Sequence, residues 1–296
     1  MARRAPAVER AVAVLNYLAA HPGERFTLSE IARDLTLNKA TLHAILGALT
    51  EAGYLVRENG AKTYALGPAL VALGNSAVGS FSAVDTALPE MQALTDELGL
   101  LCIASAAIHD EIVILSRSGT PRPFGVNVQP GQRLPLAPPL GTVFVAWSKP
   151  DRIEKWLSRV GPGASKNAKD RYRRAIAAVR ARGYSVGLEG PPPPPRGTAQ
   201  SRAKRGADHA PTLEESVRTV EIEEYALIEL DPSASYRLNH IGAPVFGPDG
   251  DVALGLFLIG FAGGIPAERV PEHAARLLHA CERVTKAIQG RAPQIA

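Results

Sequence analysis

Polar and basic residues gather at short spacing in one place, where Asn38, Lys39, Thr41 and His43 are interleaved with Ala40, Ala44 and Gly47. On a helix of 3.6 residues per turn, Ala40, Ala44 and Gly47 fall on one line, with Thr41 and His43 beside it and Lys39 in the first turn. A smooth strip of small residues edged by hydrogen-bonding ones can lie against the floor of a DNA major groove. Alanine can touch a thymine methyl there, and threonine or histidine can reach a base edge. Arg57 and Lys62 follow on a hairpin-like stretch, where they can meet phosphates, contacts that orient a protein without reading sequence. Asn38, Lys39, Ala40, Thr41, His43, Ala44, Arg57 and Lys62 are therefore the candidate DNA-contacting residues. The two helices alone fit an ordinary helical hairpin equally well.

The elements that must position this set are written locally. Thr27 and Glu30, three apart, make a capping box that opens a helix with Leu28, Ile31, Ala32 and Leu35 on its apolar face. Thr36 and Leu37 form a turn, and Asn38 is an N-cap for a second helix. There Leu42, Ile45, Leu46 and Leu49 recur at helical spacing toward a core, and Gly53 ends the run. Tyr54–Arg57 and Thr63–Leu66 read as strands around Asn59-Gly60, a two-residue hairpin turn, which makes a wing. Ahead of them Val8, Ala11, Val12, Leu15, Leu18 and Ala19 form a first helix that stops at His21-Pro22-Gly23.

Length and composition set the bounds. A chain of 296 residues accommodates two domains, and 46% hydrophobic with 21% charged residues is a globular composition. The net charge of +4 permits a nucleic-acid partner without demanding one. Residues 1–68 hold eight Lys/Arg against six Asp/Glu, so the DNA argument rests on the motif. Cys102 and Cys281 form neither a disulfide framework nor a zinc site, and two free thiols suit a reducing compartment. The N-terminal segment has no signal-like apolar region, and the uncharged run Val252–Ala267 is too short and Gly-rich to span a membrane. A cytoplasmic protein without membrane association is expected. No nucleophile elbow, phosphate loop, dinucleotide fingerprint or paired-histidine metal motif is present, so no catalytic residue, metal or cofactor is assigned.

Residues 8–74, with the Tyr64-x-Leu66-Gly67 that closes the wing, resemble the winged helix-turn-helix of IclR-type transcriptional regulators. The family often carries arginine where Ala44 stands. The resemblance continues in Pro139–Trp147 (PLGTVFVAW), Arg182-Gly183-Tyr184, Ile241–Gly250 and Leu256–Gly260. It implies an α+β protein with three parts. Residues 1–67 are the winged helix-turn-helix, 68–84 a linker helix, and 85–296 a GAF-like antiparallel sheet with flanking helices that binds an effector. It also implies a palindromic DNA operator, a homodimer or homotetramer, and a ligand cavity between the sheet and the PLGTVFVAW segment. The cavity walls would be Leu134, Leu136, Leu140, Gly141 and Thr142 facing His240, Gly242, Phe257 and Ile259, with His240 and Glu229 as polar anchors. Mostly apolar walls suit an apolar or aromatic metabolite. A protein–protein role for the winged helix, on a metabolite-binding protein or enzyme, is the competing reading.

The remaining elements are read from periodicity. A helix starting at Pro68 is broken or bent over Phe81–Asp85 before a second helix from Leu88 to Leu98. Strands are expected at Leu101–Ala107, Glu111–Arg117, Phe124–Val128, from Gly183, and at Val220–Leu230, Tyr236–Phe246 and Val252–Gly260. Helices are expected at Leu140–Ser148, Asp151–Arg159, Ala168–Arg182 and Pro271–Gln289. Residues 190–218, with five consecutive prolines from Pro191 to Pro195, read as a basic surface insertion.

Overall fold

The computed structural model describes residues 5–21, 23–58, 60–78, 82–120, 128–160, 167–189 and 225–293. The expected strand Phe124–Val128 and the insertion at 190–218 fall almost wholly or wholly outside them. The chain divides into two compact units, residues 1–81 and 82–296.

The first unit runs α1 (Pro6–Ala19), β1 (Phe26–Thr27), α2 (Leu28–Asp34), α3 (Lys39–Glu51), β2 (Leu55–Glu58), β3 (Thr63–Leu66) and α4 (Ala69–Val78). Its caps are those the sequence spells out. The Thr27 N–H donates to Glu30 Oε2 at 2.7 Å, and the Glu30 N–H donates to Thr27 Oγ1 at 3.3 Å, which closes the capping box. Asn38 Oδ1 accepts from the Ala40 N–H at 2.8 Å. Gly53, at φ +74°, lets its own N–H reach Thr50 O and the Tyr54 N–H reach Leu49 O, a Schellman end. The same motif ends α2, but there the left-handed residue is Thr36, at φ +54°. Val14, Ile31, Leu42 and Leu46 are fully buried at the centre of this unit.

Two features of the wing differ from expectation. Pairing of β2 with β3 begins at Glu58↔Thr63, so the connection is the four residues 59–62 rather than a two-residue turn. Its left-handed residue among those described is Lys62, at φ +52°. A third strand, β1, pairs Phe26 with Tyr64 and Thr27 with Thr63. It was too short for any alternation to reveal.

The second unit begins with α5 (Ser82–Leu98), which runs through the expected break at Asp85 and contains Pro89. Then come β4 (Leu101–Ile108), β5 (Glu111–Ser118), β6 (Arg133–Pro135), α6 (Thr142–Val145), α7 (Pro150–Leu157), α8 (Ala168–Arg182), β7 (Ser185–Leu188), β8 (Ser235–Phe246), β9 (Val252–Ile259), β10 (Gly264–Pro266) and α9 (Arg269–Ala287). The seven strands form one antiparallel sheet in the order β10-β8-β9-β4-β5-β6, and β7 also pairs with β8. The expected strand Val220–Leu230 is not a strand over its described part. Residues 225–230 hold one isolated bridge, Gly187↔Ala226.

Alternation along the strands separates two faces. Cys102 and Ala104, Ile241 and Ala243, and Leu256 and Leu258 pack with Met91 of α5 and Leu277, Cys281 and Val284 of α9. Both cysteines are free and buried. The intervening residues, Ile103 and Ser105, His240 and Gly242, and Phe257 and Ile259, point to the other face. There Leu140, Phe144, Trp156 and Tyr172, from the segment 140–147, α7 and α8, make a second core. No helix among the described residues is long and apolar enough to cross a membrane.

Candidate functional site

Helix α3 presents one exposed face. Lys39, Ala40, His43, Ala44, Gly47 and Ala48 are exposed, while Leu42 and Leu46 on the opposite side have no accessible surface. Thr41 is half-buried at the edge of the strip. Space above Gly47 is open, since a Cβ built there would meet nothing within 4 Å. The first turn of α3 carries no acidic residue, so the positive end of the helix dipole is not offset. Asn38 is committed to capping. On the wing, Arg57 and Lys62 are exposed, and the Arg57 guanidinium sits 5.8 Å from the Tyr64 ring centre. The neighbouring Glu58 is paired at 3.3 Å with Arg25, a partner the sequence did not suggest.

On the inner face of the sheet in the second unit lies a cavity of about 70 Å³. Seven expected residues line it: Leu134, Leu140, Gly141, Thr142, His240, Phe257 and Ile259. His240, Phe257 and Ile259 keep accessible surface, although Ile241 and Leu258, adjacent in sequence but on the packed face, have none. The hollow therefore lies on one side of the sheet only. Gly242, expected on this wall, does not line the hollow; it makes room for the Phe257 ring, which a Cβ there would approach to 2.4 Å.

Two further expected residues are elsewhere. Leu136 is buried behind Gly141, with its Cδ1 2.4 Å from where a Cβ on Gly141 would stand. Gly141 itself has φ +91°, which together with that contact excludes a side chain. Glu229 is exposed and pairs with Arg174 at 3.4 Å, so it is no cavity anchor. Its assignment followed from treating 220–230 as a strand beside β8.

The cavity is also more polar than its strands suggested. Ser105, Ser185, Tyr225 and Asn239 join Thr142 and His240 on its walls. Tyr225 Oη lies 3.2 Å from both His240 Nδ1 and Asn239 Oδ1, and Asn239 Oδ1 lies 3.2 Å from His240 Nδ1. On the other side of the ring, Ser185 Oγ is 3.4 Å from His240 Nε2 and donates to Gly242 O at 3.4 Å. Burial, with a smaller contribution from the positive charge of Arg182, pushes the His240 pKa down to about 4, so the ring is neutral at pH 7. Burial raises the Tyr225 phenol pKa, so it stays protonated. Arg182 itself does not line the cavity and donates to Tyr184 O, Leu227 O and Ile228 O. Ser105 and Ser185 were visible as lone polar residues at alternate strand positions. Tyr225 gave no comparable sign.

Comparison with known proteins decides the kinship of the first unit. The IclR helix-turn-helix domain profile matches residues 7–59. Residues 7–59 of this unit are thus an IclR helix-turn-helix domain. The glycerol operon regulatory protein of Streptomyces griseus is 47% identical over 77 residues, 26% of this chain and 30% of that protein. The chain spans less than half the length of the first curated relatives it matches. Solved structures extend the likeness to the whole fold. An IclR transcriptional regulator from Alicyclobacillus acidocaldarius superposes with a TM-score of 0.71 at 21% identity, over 97% of this chain and 100% of that one. An IclR homolog from Microbacterium hydrocarbonoxydans, solved in complex with 4-hydroxybenzoate, gives 0.63 at 21% identity, over 96% and 99%. The α+β architecture, an IclR helix-turn-helix followed by an antiparallel sheet with helices, is that of IclR regulators.

Proposed function

We propose that this chain is a ligand-responsive transcriptional regulator. It binds double-stranded DNA through α3 and the wing, as a dimer or tetramer on a palindromic operator, and takes a small effector in the cavity of the second unit. The carrying observation is the exposed strip Ala40-Ala44-Gly47 on an IclR helix-turn-helix, edged by Lys39, Thr41 and His43 and held in place by caps at both ends. One helix-turn-helix per chain favours paired half-sites. The cavity supports the effector role, and the Microbacterium homolog with 4-hydroxybenzoate points to an aromatic ligand. With α4 as the connection between the units, the effector acts by differential affinity for DNA-competent and DNA-incompetent arrangements. We place the protein in the cytoplasm, consistent with its two free buried thiols, and as a binding protein rather than an enzyme.

Fluorescence anisotropy with DNA upstream of the protein's own gene, against a scrambled duplex over a salt series, tests the reading. Tighter binding to the native duplex, weakening as salt rises, is expected. Changing Thr41 and His43 together to alanine abolishes the preference while the thermal melt is unchanged. Retained preference in that variant would refute the assignment of the reading face.

A further inference from the structure

We propose that Gly47 is the close-approach position of α3. It is a glycine because the sugar–phosphate wall of the major groove passes its bare backbone, and it sets how deeply the helix seats on its operator. This rests on the reading of α3 as the helix that enters DNA.

Within the protein Gly47 is anomalous. It lies inside α3, and glycine is the poorest helix former after proline. Three internal reasons would account for it: left-handed backbone, a helix end, or a neighbour pressed against its Cα. None applies. Its backbone is helical, without a positive φ. The left-handed residue that ends α3 is Gly53. No described atom comes within 4 Å of the Cβ that an alanine would carry there. Gly67 in the same unit shows the contrast, since a Cβ there would collide with the Gly53 carbonyl.

The exposed face puts the reason outside the chain. Gly47 follows Ala40 by two turns, so the two lie within about 20° of each other around the axis, on the strip that Ala44 completes. From Lys39 to Gly47 the helix advances about 12 Å, and the major groove is about 12 Å wide. A recognition helix reads bases with its N-terminal residues. Entering by that end, α3 meets the far wall of the groove near Gly47. A helix with its side chains is about 10–12 Å across, close to the width of the groove, so a missing Cβ is felt as depth. One turn further Glu51 is exposed on the same side, and a carboxylate is repelled by phosphate, so the contact ends there.

Gly47→Ala in the full chain tests this by setting stability against binding. Alanine is the better helix former, so the calorimetric transition of the first unit should rise by roughly 2–8 °C. Anisotropy should nonetheless show binding to the upstream duplex weakened about fivefold or more, the scale of one overpacked methyl. Binding to the scrambled duplex, held by phosphate charge without seating, should not change. Gly47→Val, bulkier at the β carbon and a poorer helix former than alanine, should bind the upstream duplex more weakly still. Recovered binding in Gly47→Val would overturn the proposal by showing that the glycine supplies flexibility. A lowered transition in Gly47→Ala would overturn it by showing an internal role. Wild-type affinity in Gly47→Ala would overturn it too, and preference lost on changing Thr41 and His43 would show that the reading face still stands. A wild-type chain that binds both duplexes equally would overturn both the proposal and the DNA reading.

Discussion

Gly187 is a position where one methyl group should disturb the polar end of the cavity directly. A Cβ there would stand 2.3 Å from Cε1 and 2.4 Å from Nδ1 of His240, and 3.2 Å from Tyr225 Cζ. Favourable contacts between such atoms lie at about 3.5–4.0 Å, so the overlap exceeds an ångström. His240 cannot yield freely, because the Phe257 and Tyr225 rings lie 5.5 and 5.7 Å from it, centre to centre. Overpacking of this kind costs about 1–3 kcal/mol. Replacing a strand glycine returns about 0.5–1 kcal/mol of backbone entropy. Gly187→Ala should therefore destabilise the second unit by about 1–2 kcal/mol, the difference of those two effects. Urea unfolding followed by tryptophan fluorescence reports this unit alone, since both tryptophans, Trp147 and Trp156, belong to it. The decisive comparison is a double-mutant cycle with His240→Ala. Removing the ring makes room for the methyl, so Gly187→Ala should cost nothing in that background, a coupling of about 1 kcal/mol or more. Additive effects, or a single variant within about 0.5 kcal/mol of wild type, would refute the steric argument.

The remaining expectations concern charge, strain and the wing. His240 titrates near 6.5 when unfolded and about 4 when folded. The unfolded chain therefore binds its proton first, and the stability this group contributes is present above pH 6.5 and lost as pH falls toward 4. His240→Phe should flatten the urea-stability profile across that window relative to wild type, while the slope from His273, also lowered by burial, remains in both. An unchanged profile would show that His240 is not buried neutral. Thr36 occupies left-handed backbone at φ +54°, a conformation costing an L-residue about 1–2 kcal/mol, of which glycine gives back about 0.5–1 through unfolded-state entropy. Thr36→Gly should raise the calorimetric transition of the first unit by roughly 2–4 °C, and a fall would refute the strain. Lys62→Ala should weaken operator and scrambled DNA alike and reduce the logarithmic salt slope by about 1. A loss confined to the operator would show base reading rather than phosphate contact.

The helix-turn-helix was legible because its instructions are local. Thr27 with Glu30, Asn38 with Ala40, and Gly53 with the last turn of α3 act over two to five residues, so each cap is complete within a short window of sequence. The same holds for α8, where Ala168, Tyr172, Ala175, Ile176 and Val179 recur at helical spacing on the buried face. Where local signals competed, tertiary packing decided. α5 continues through Asp85 and Pro89 because Met91 and Leu94 are buried against the sheet. β1 is a strand only because β3 lies beside it.

The cavity divides along the same line. Strand alternation alone put His240, Phe257 and Ile259 on one face, and the sequence carried that much. Which polar groups meet them depended on register between distant segments. Gly187 pairs with His240, and the bridge from Gly187 to Ala226 brings Tyr225 against the imidazole while Glu229 is left outside. Sequence determines which residues share a face, because that follows from backbone geometry over a few residues. Only the tertiary structure determines which faces meet, because it is set by pairing between segments far apart in the chain, and here that pairing gave the cavity its polar end.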